Sequence, residues 1–583
     1  MIEQGFIALR GQRGSLERNR TMALAKDQFK RAEPTPWPTC DDARRMSAPE
    51  PTPPHDGTAA APTPLRNPVF RMLWGVWVTA NICMWMNDVA AAWLMTTLTT
   101  SPVMVALVAS AASMPVFLLG LPSGALADIV DRRRLLLFTQ VWVAVIGIIT
   151  CIVAFAGAIT PWSLLLLTFA NGIGLALRWP AYAALVPQLV ERRQLSAALA
   201  LNAIAMNISR IFGPVLAGAV IAVAGSAYVF MLNAVLSVGA AVVLLRWRRP
   251  PKVSALPGER FLGAMRVGVQ HVRQSGAMQT ALLRISLFFM QAAALPALLP
   301  LVAKGLGSGD AGTFALLLAC MGVGAIGAAL ALPRVRESVS RDTLVSACTL
   351  VHAAMMTLVS LAPNMWVAAA GLFVLGATLI SVANTITLSA QLALPDWVRA
   401  RGMSIYQMAM LGSSALGAAL WGQVASLSDV RTSIVCAALV AVACLLVTRR
   451  RSLDGAAIED LTPTDSIKSP DVALELAADD GPVIVTVEYR IAAQNAQAFL
   501  DVMRETRRHR LRQGVLSWEL LRDTADPRLY IEQFMDETWA DHLRRFERMT
   551  AADLALRQRR HDLHGGEQPP LVRRRIARSL EEN

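Results

Sequence analysis

From Phe70 to Val447 the chain alternates long apolar runs with short polar gaps. A bilayer core of ~30 Å takes about 20 apolar residues per helix. Twelve runs meet that length: 72–98, 102–127, 135–158, 162–187, 196–223, 227–246, 278–303, 311–333, 343–362, 365–394, 402–427 and 431–448. No soluble core hides so many segments, so the pattern predicts an all-α membrane protein with twelve transmembrane helices. The longest interior gap splits the runs six and six. It defines an N-terminal half at 66–247, a cytoplasmic linker at 248–277 and a C-terminal half at 278–451. Two matched halves are a common build among secondary transporters.

The period changes after a polar linker at 452–481. Residues 483–491 alternate and are β-branched, which predicts a strand. A helix is expected from Asn495 to His509, and a hairpin over 515–522 and 528–536 around Asp526-Pro527. A helix follows from Thr538 toward Leu563, then a last strand near Leu571–Ala577. The order βαββαβ predicts a soluble ferredoxin-like α+β domain over 482–580. Residues 1–65 are polar, basic and proline-rich and read as a disordered cytoplasmic tail. No apolar core follows the basic start, so a cleavable signal peptide is not expected. Arg260 to Gln274 has apolar residues at helical spacing among basic ones. It reads either as an amphipathic helix on the inner leaflet or as a solvated connecting helix.

Charge fixes the expected topology. Lys and Arg stay in cytoplasmic loops. Arg132, Arg133 and Arg134 follow run two, and Arg192 and Arg193 follow run four. Seven basic residues between Arg246 and Arg273 follow run six. Arg334, Arg336 and Arg341 follow run eight, Arg399 and Arg401 run ten, and Arg449 to Arg451 run twelve. The odd gaps hold only Lys304 and Arg431. Both termini are therefore expected in the cytoplasm, with the chain crossing the inner (plasma) membrane repeatedly. The net charge of +13 follows from this rule and needs no nucleic-acid partner. None of the seven cysteines forms a CxxC pair and six lie in apolar runs, so no disulfide framework or metal site is expected. No P-loop pattern appears, which disfavours ATP-driven transport.

The sharpest motif is Gly124-Ala-Leu-Ala-Asp128-Ile-Val-Asp131-Arg132-Arg133-Arg134, between runs two and three. A positive-inside loop explains the arginines but not the Gly-x-Leu-x-Asp before them. The stretch resembles the signature of the major facilitator superfamily, GxLaDrxGRRxxL. Ile129 stands where a basic residue is usual and Asp131 where glycine is usual. The variant looks like the transmembrane secretion effector branch, which includes enterobactin exporter-like proteins. Phe70-Arg71-Met72-Leu73-Trp74, Ala92-Trp93-Leu94, Trp179-Pro180-Ala181, Leu201-Asn202 and Asn207 to Pro214 resemble that branch too. So do Asp396 to Gly402, Ser517-Trp518 and Trp539 to Arg544. The resemblance implies a conformational gate of Gly124, Asp128, Asp131, Arg132 and Arg133 against Arg399 and Arg401. Gly213-Pro214 with Gly218 is similar to the antiporter helix-five motif. Thr168 stands where many drug antiporters carry an arginine in helix four, so a relay through that arginine is not carried over.

Charges inside runs face a cavity or a partner, because each costs about 2.5–3.5 kcal/mol at mid-membrane. Asp88, Arg178, Arg210, Arg284 and His352 are of this kind. At 1.5 Å rise per residue, Asp88 and Arg210 differ in height by roughly 6 Å, close enough to pair if their faces agree. Asp88 then reads as a coupling carboxylate tuned by Arg210, as one half of a structural ion pair, or as an outer-leaflet cap. Arg284 reads as snorkelling to the inner surface. Asn81, Asn202, Asn207, Gln291, Asn384, Gln391 and Gln407 are candidates for a polar cavity or for helix-to-helix glue. The soluble domain resembles antibiotic-biosynthesis monooxygenase-like modules, small dimeric barrels. That resemblance makes Trp518, Trp539 and His542 candidate cavity residues and a homodimer through this domain an option.

Together these observations predict a non-enzymatic exporter of small molecules of siderophore, natural-product or drug class, working by alternating access with proton antiport. Its expected partners are the small-molecule substrate, protons and the lipid bilayer, with no cofactor. The alternatives are a membrane-tethered monooxygenase-like enzyme and a non-transporting ligand sensor.

Overall fold

The computed structural model describes residues 64–577, apart from 130, 191–193, 248–260, 308, 454–459, 463–473 and 475. The tail expected at 1–65 lies outside the described residues save its last two. Residues 248–260 of the first linker and most of 454–475 do as well. The N-terminal half comprises α1 (Pro68–Leu98), α2 (Pro102–Ile129), α3 (Arg132–Phe155), α4 (Pro161–Leu189), α5 (Leu195–Ala224) and α6 (Ser226–Arg246). A connecting helix α7 (Phe261–Gln274) follows. The C-terminal half comprises α8 (Gly276–Ala292), α9 (Ala294–Lys304), α10 (Ala311–Ser338), α11 (Arg341–Ser360), α12 (Met365–Leu392), α13 (Asp396–Leu427) and α14 (Val430–Thr448).

The polar gaps act as helix starts. Asn67 accepts from the amides of Val69 and Phe70, Asp310 from Thr313, Asn364 from Val367 and Asp429 from Thr432. A side-chain oxygen at this position satisfies amides that the first turn leaves free. Thr160 and Ser163 form a capping box, with Pro161 at the first helical position. The expected run 278–303 is broken at Ala293 into α8 and α9. Pro296 has no amide hydrogen to bond the Ala292 carbonyl, so the regular ladder cannot pass.

Among the described residues eleven spans, rather than the twelve expected, are long and apolar enough to cross a membrane; α8 and α9 together count as one of them. The run 402–427 lies in α13, a helix of 32 residues. Glycines and serines (Gly402, Ser404, Gly412, Ser413, Ser414, Gly417, Gly422) dilute its apolarity. Those small residues serve packing. An added Cβ at Gly412 would stand 2.3 Å from Phe117 of α2, and one at Gly422 2.5 Å from Ala106. Ser110 of α2 donates to the Ala415 carbonyl at 2.7 Å. The halves meet a second time where Gly218 of α5 approaches Ala315 of α10 and Gly322 of α10 approaches Ile211 of α5.

The apolar cores are divided unevenly. One cluster holds Met86, Phe230, Phe314 and Trp421 and so draws on both halves. It lies toward the end of the bundle where α1 ends and α2 begins. Toward the other end there are two separate clusters. One, with Phe70, Leu73, Leu136 and Leu185, belongs to the N-terminal half alone. The other, with Met278, Ile285, Ile386 and Tyr406, belongs to the C-terminal half and α7. At the joined end, Lys304 donates to the Thr96 carbonyl at 2.5 Å and lies 5.9 Å from the Trp93 ring.

The chain ends in a sheet-and-helix unit: β1 (Val483–Arg490), α15 (Ala496–Arg512), β2 (Ser517–Arg522), β3 (Leu529–Asp536), α16 (Trp539–Glu547), α17 (Ala551–Asp562) and β4 (Leu571–Ile576). The strand order is β2-β3-β1-β4, antiparallel throughout. Val483, Val485, Val487 and Tyr489 alternate onto the buried face against Phe499 and Met503 of α15.

This unit also meets the connecting helix: Val267, His271 and Val272 of α7 are buried against protein. Gly268 packs on Arg401 of α13, and Gly514 packs on Val267. Gln270 donates to the Val515 carbonyl at 3.1 Å, Arg512 to the Gln274 carbonyl at 3.2 Å, and Arg266 to Glu537 at 2.5 Å. Arg548 lies 4.7 Å over Trp397 at the start of α13. The amphipathic face of α7 meets protein on both sides.

Candidate functional site

Polar side chains gather inside the bundle on α1, α4 and α5. Trp77 and Tyr182 stack with ring centroids 3.9 Å apart, nearly coplanar at 2°. The Tyr182 hydroxyl donates to Asn202 at 3.1 Å. Arg178 is buried with its guanidinium 5.6 Å over Trp77. Asn81 donates to the Trp77 carbonyl at 2.7 Å. That leaves Asn81 Oδ1, Trp77 Nε1, Trp85 Nε1, and Arg178 Nε and Nη2 buried without hydrogen-bond partners among the described residues. Each such group costs about 1–3 kcal/mol, more when charged. Folding alone does not favour so many in one place, whereas a ligand with matching acceptors and donors would satisfy them.

The expected closeness of Asp88 and Arg210 does not become a pair. Arg210 lies 5.4 Å over the Trp85 ring. Among the described residues, Asp88 has neither an ion pair nor a hydrogen bond and is half-buried. Height along a helix was readable from the sequence; the direction each side chain takes around the axis was not. Thr168 is buried beside Asn171, whose Oδ1 also lacks a partner.

On the C-terminal half, Gln291 and His352 are buried and Gln407 is half-buried. His352 Nδ1 lies 3.0 Å from the Thr378 hydroxyl, and among the described residues its Nε2 is without a partner, as are Gln291 Oε1 and Gln407 Oε1. Asn384 and Gln391 are exposed. Arg284 does not snorkel: it pairs with Asp342 at 2.6 Å and donates to the Thr448 carbonyl at 3.3 Å. Asp342 also accepts from the Leu453 amide and Ser452, tying α8, α11 and the end of α14 together.

The side chains of Gly124, Asp128, Arg132 and Asn207 lie outside the described residues, so the expected gate is seen only in part. Asp131 caps α3 by accepting from the Arg134 amide at 2.9 Å. Arg133 donates to the Leu245 carbonyl near the end of α6 at 3.1 Å. Both contacts suit the helix dipoles. Arg399 donates to the Leu394 carbonyl at 3.4 Å, and Arg401 packs on α7.

In the C-terminal unit the three candidate residues separate. His542 lines a cavity of about 270 Å³; Trp518 and Trp539 stand outside its lining. Trp518 donates to Glu532 at 3.0 Å, and Trp539 stacks on His542 at 5.2 Å. His542 Nδ1 lies 2.7 Å from Asp536, and Arg574 donates to its Nε2 at 3.2 Å. Burial holds the His542 pKa below its usual value against the pull of Asp536. Burial alone would raise Glu532, but Arg510 and Arg560 hold it down to about 2. The sequence reading missed Arg510, Arg545, Arg560 and Arg574, which line this cavity. A signal existed: alternation along β3 puts Tyr530, Glu532, Phe534 and Asp536 on the buried face. Two carboxylates there demand cations from the facing helices.

With the geometry in hand, comparison with known proteins gives the family. Residues 59–581 match the transmembrane secretion effector family of major facilitator transporters, and the chain belongs to that family. A staphyloferrin A transporter of Staphylococcus aureus is 24% identical over 254 residues, 43% of this chain and 63% of that protein. A macrolide efflux protein A of Enterococcus faecalis is 27% identical over 192 residues, 32% of this chain and 59% of that protein. The chain thus spans about three fifths of the length of these curated relatives. A nucleoside transporter, NupG, superposes with TM-score 0.54 at 12% identity, over 66% of this chain and 98% of that one. A bacterial homolog of the lysosomal transporter Spinster, inward-facing and occupied, gives 0.54 at 14% identity over 67% and 98%. At such identities the likeness shows the fold alone. The family and these relatives are membrane transporters, not enzymes.

Proposed function

We propose that this secretion effector is a proton-driven exporter of small amphipathic molecules, built as twelve membrane-crossing helices that work by alternating access. The carrying observation is the uneven division of the core. The halves share one apolar cluster at the end holding Lys304 and keep separate clusters at the other. Two halves that share one apolar core and otherwise keep their own suit a central site opening to one side at a time. The arginine-rich gaps support placing the end with the separate clusters, and both termini, in the cytoplasm of a cell with this protein in its inner membrane.

The partnerless polar atoms of Asn81, Trp85, Arg178, Gln291 and His352 supply the substrate site. Two guanidiniums over tryptophans favour an acceptor-rich molecule with apolar surface. The names of two relatives, a staphyloferrin A transporter and a macrolide efflux protein, support a small-molecule cargo of this general kind. Asp88 is the proposed coupling carboxylate, and Asp128 the gate residue that holds the inner mouth shut in the outward-open state.

The C-terminal domain, read as ferredoxin-like from its βαββαβ order, is proposed to regulate the C-terminal half through α7. Leu521, Leu571 and Val572 stand exposed on its edge strands, which supports a homodimer through the same domain. Everted vesicles offered a panel of siderophores, macrolides and dyes test the main reading. Accumulation should follow an imposed proton gradient, stop with a protonophore, and lose coupling in Asp88→Asn. A panel with no gradient-driven accumulation, or full coupling in Asp88→Asn, overturns it.

A further inference from the structure

The cavity of the C-terminal domain lies between the sheet, α15 and α17, and its charge is one-sided. Arg510, Arg545, Arg557, Arg560 and Arg574 line it, against a single lining carboxylate, Asp553. Asp553 is committed to His509 at 2.8 Å and to capping α17. Two further carboxylates sit beneath the floor on β3. Glu532 accepts from Arg510 at 2.9 Å and from the Tyr489 hydroxyl at 3.2 Å, besides Trp518. Asp536 faces Arg545 at 3.2 Å and His542. Three carboxylates therefore face five guanidiniums.

Part of this positive charge is buried. Arg560 is 6% exposed; its Nη1 donates to Thr506 at 3.0 Å and its Nε has no acceptor among the described residues. Arg545 is 3% exposed, with Nε and Nη1 both without acceptors among the described residues. Arg574 and Arg557 are exposed at the rim. Buried guanidinium hydrogens without acceptors are unfavourable, and an entering anion would relieve them with charge-assisted hydrogen bonds. The rest of the lining is mixed: Val487, Phe534, Phe546 and Leu556 give an apolar patch, beside Thr506, Gln513 and three histidines. At about 270 Å³ the space lies just under the range of drug-sized pockets, roughly 300–1,000 Å³, and suits a compact ligand.

We infer that this cavity is a binding site for a small planar carboxylate, its head on Arg545, Arg560 and Arg574 and its apolar body against Val487, Phe534 and Leu556. The site stands independently of export by the bundle. Salicylate is the probe, titrated by calorimetry into the full chain in detergent. Salicylamide, of the same shape without the charge, is the control. Salicylate should bind, and salicylamide at least tenfold more weakly. Arg560→Gln should weaken salicylate at least tenfold and the rim variant Arg574→Gln at least threefold. Arg559→Gln should leave binding unchanged, because Arg559 is exposed and pairs with Glu505 away from the cavity. If Arg560→Gln melts like an unfolded protein, the rim variant alone decides. No heat with salicylate, equal binding of the amide, or salicylate binding undiminished in Arg574→Gln overturns the inference.

Discussion

Gly218→Ala should open the joined end of the bundle without unfolding it. An added Cβ at Gly218 would stand 2.1 Å from the Cβ of Ala315. Carbon–carbon contacts settle at roughly 3.5–4.0 Å, so α5 and α10 must part by about 1.5 Å at that point. Overpacking of this kind costs about 1–3 kcal/mol. The cost falls only on the state in which the halves touch there. A state with those ends apart is spared, so the balance between the two moves by a factor of roughly 5–150. Leu317 reports the change, being fully buried in the shared core. With Leu317→Cys as the only cysteine, labelling by a membrane-impermeant maleimide should quicken at least about fivefold in Gly218→Ala. Two other glycines serve as references. A Cβ at Gly376 would meet the Met321 carbonyl at 1.9 Å, but α10 and α12 belong to one half. Gly376→Ala should therefore lower the unfolding temperature and leave the labelling rate alone. Gly327 has nothing within 4 Å of its added Cβ, so Gly327→Ala should stabilise by about 0.5–1 kcal/mol. Unchanged labelling in Gly218→Ala, or an equal rise in Gly376→Ala, refutes the idea that the halves swing as separate bodies.

Removing one partner of the Arg284–Asp342 pair should cost about 3–5 kcal/mol, because a buried charge is left uncompensated. Thermal unfolding of Arg284→Met, Asp342→Asn and the double variant checks this, the double being milder than the sum. In the C-terminal domain, Glu532 is held at about 2 against an ordinary value of 4.5. A depressed carboxylate stabilises above its unfolded pKa, so its contribution should be lost as pH falls from about 4.5 toward 2. Hydrogen exchange of residues 529–536 should accelerate through that window, and Glu532→Gln should flatten the response. His542 is also lowered, so an earlier decline is expected as the unfolded imidazole gains its proton near 6.5. Gly514→Val should detach the domain. The backbone there has φ +103°, and a Cβ would stand 2.7 Å from Val267; faster hydrogen exchange in α7 reads out the loss.

The bilayer made the helix-forming runs legible, since each must be apolar for its whole length and must keep its arginines to one side. The run in α13 is the instructive exception. Its glycines and serines answer to the close approach of α2, not to lipid, and so weaken the hydropathy signal. Pairings were less readable. Arg284 and Asp342 are 58 residues apart, and nothing local joins them. Arg210 and Asp88 were expected near one another in height, yet Arg210 turns to the Trp85 ring instead. The face of α7 has the same periodicity whether it meets lipid, water or protein, which is why its burial under Gly514 came only from the structure. The carboxylates of β3 were legible in the alternation, yet which arginines answer them depends on how α15, α16 and α17 cross the sheet.

The attachment of the C-terminal domain constrains how it could act on the bundle. Its bonds to the bundle run to α7, through Arg266, Gln270, His271 and Gln274, and its Arg548 covers Trp397 of α13. These elements share a core with the C-terminal half: Val272 and Val398 lie in one cluster with Ile285 and Tyr406. Among the described residues the domain's bonds to the bundle fall on α7 and the start of α13. In the proposed alternating-access cycle it is expected to move with the C-terminal half and to act on the swing through the start of α13, where Arg399 and Arg401 stand. A domain that acts on transport therefore does so by shifting α7 against Arg401, and the contact between Gly268 and that side chain is the place where such a shift would be felt.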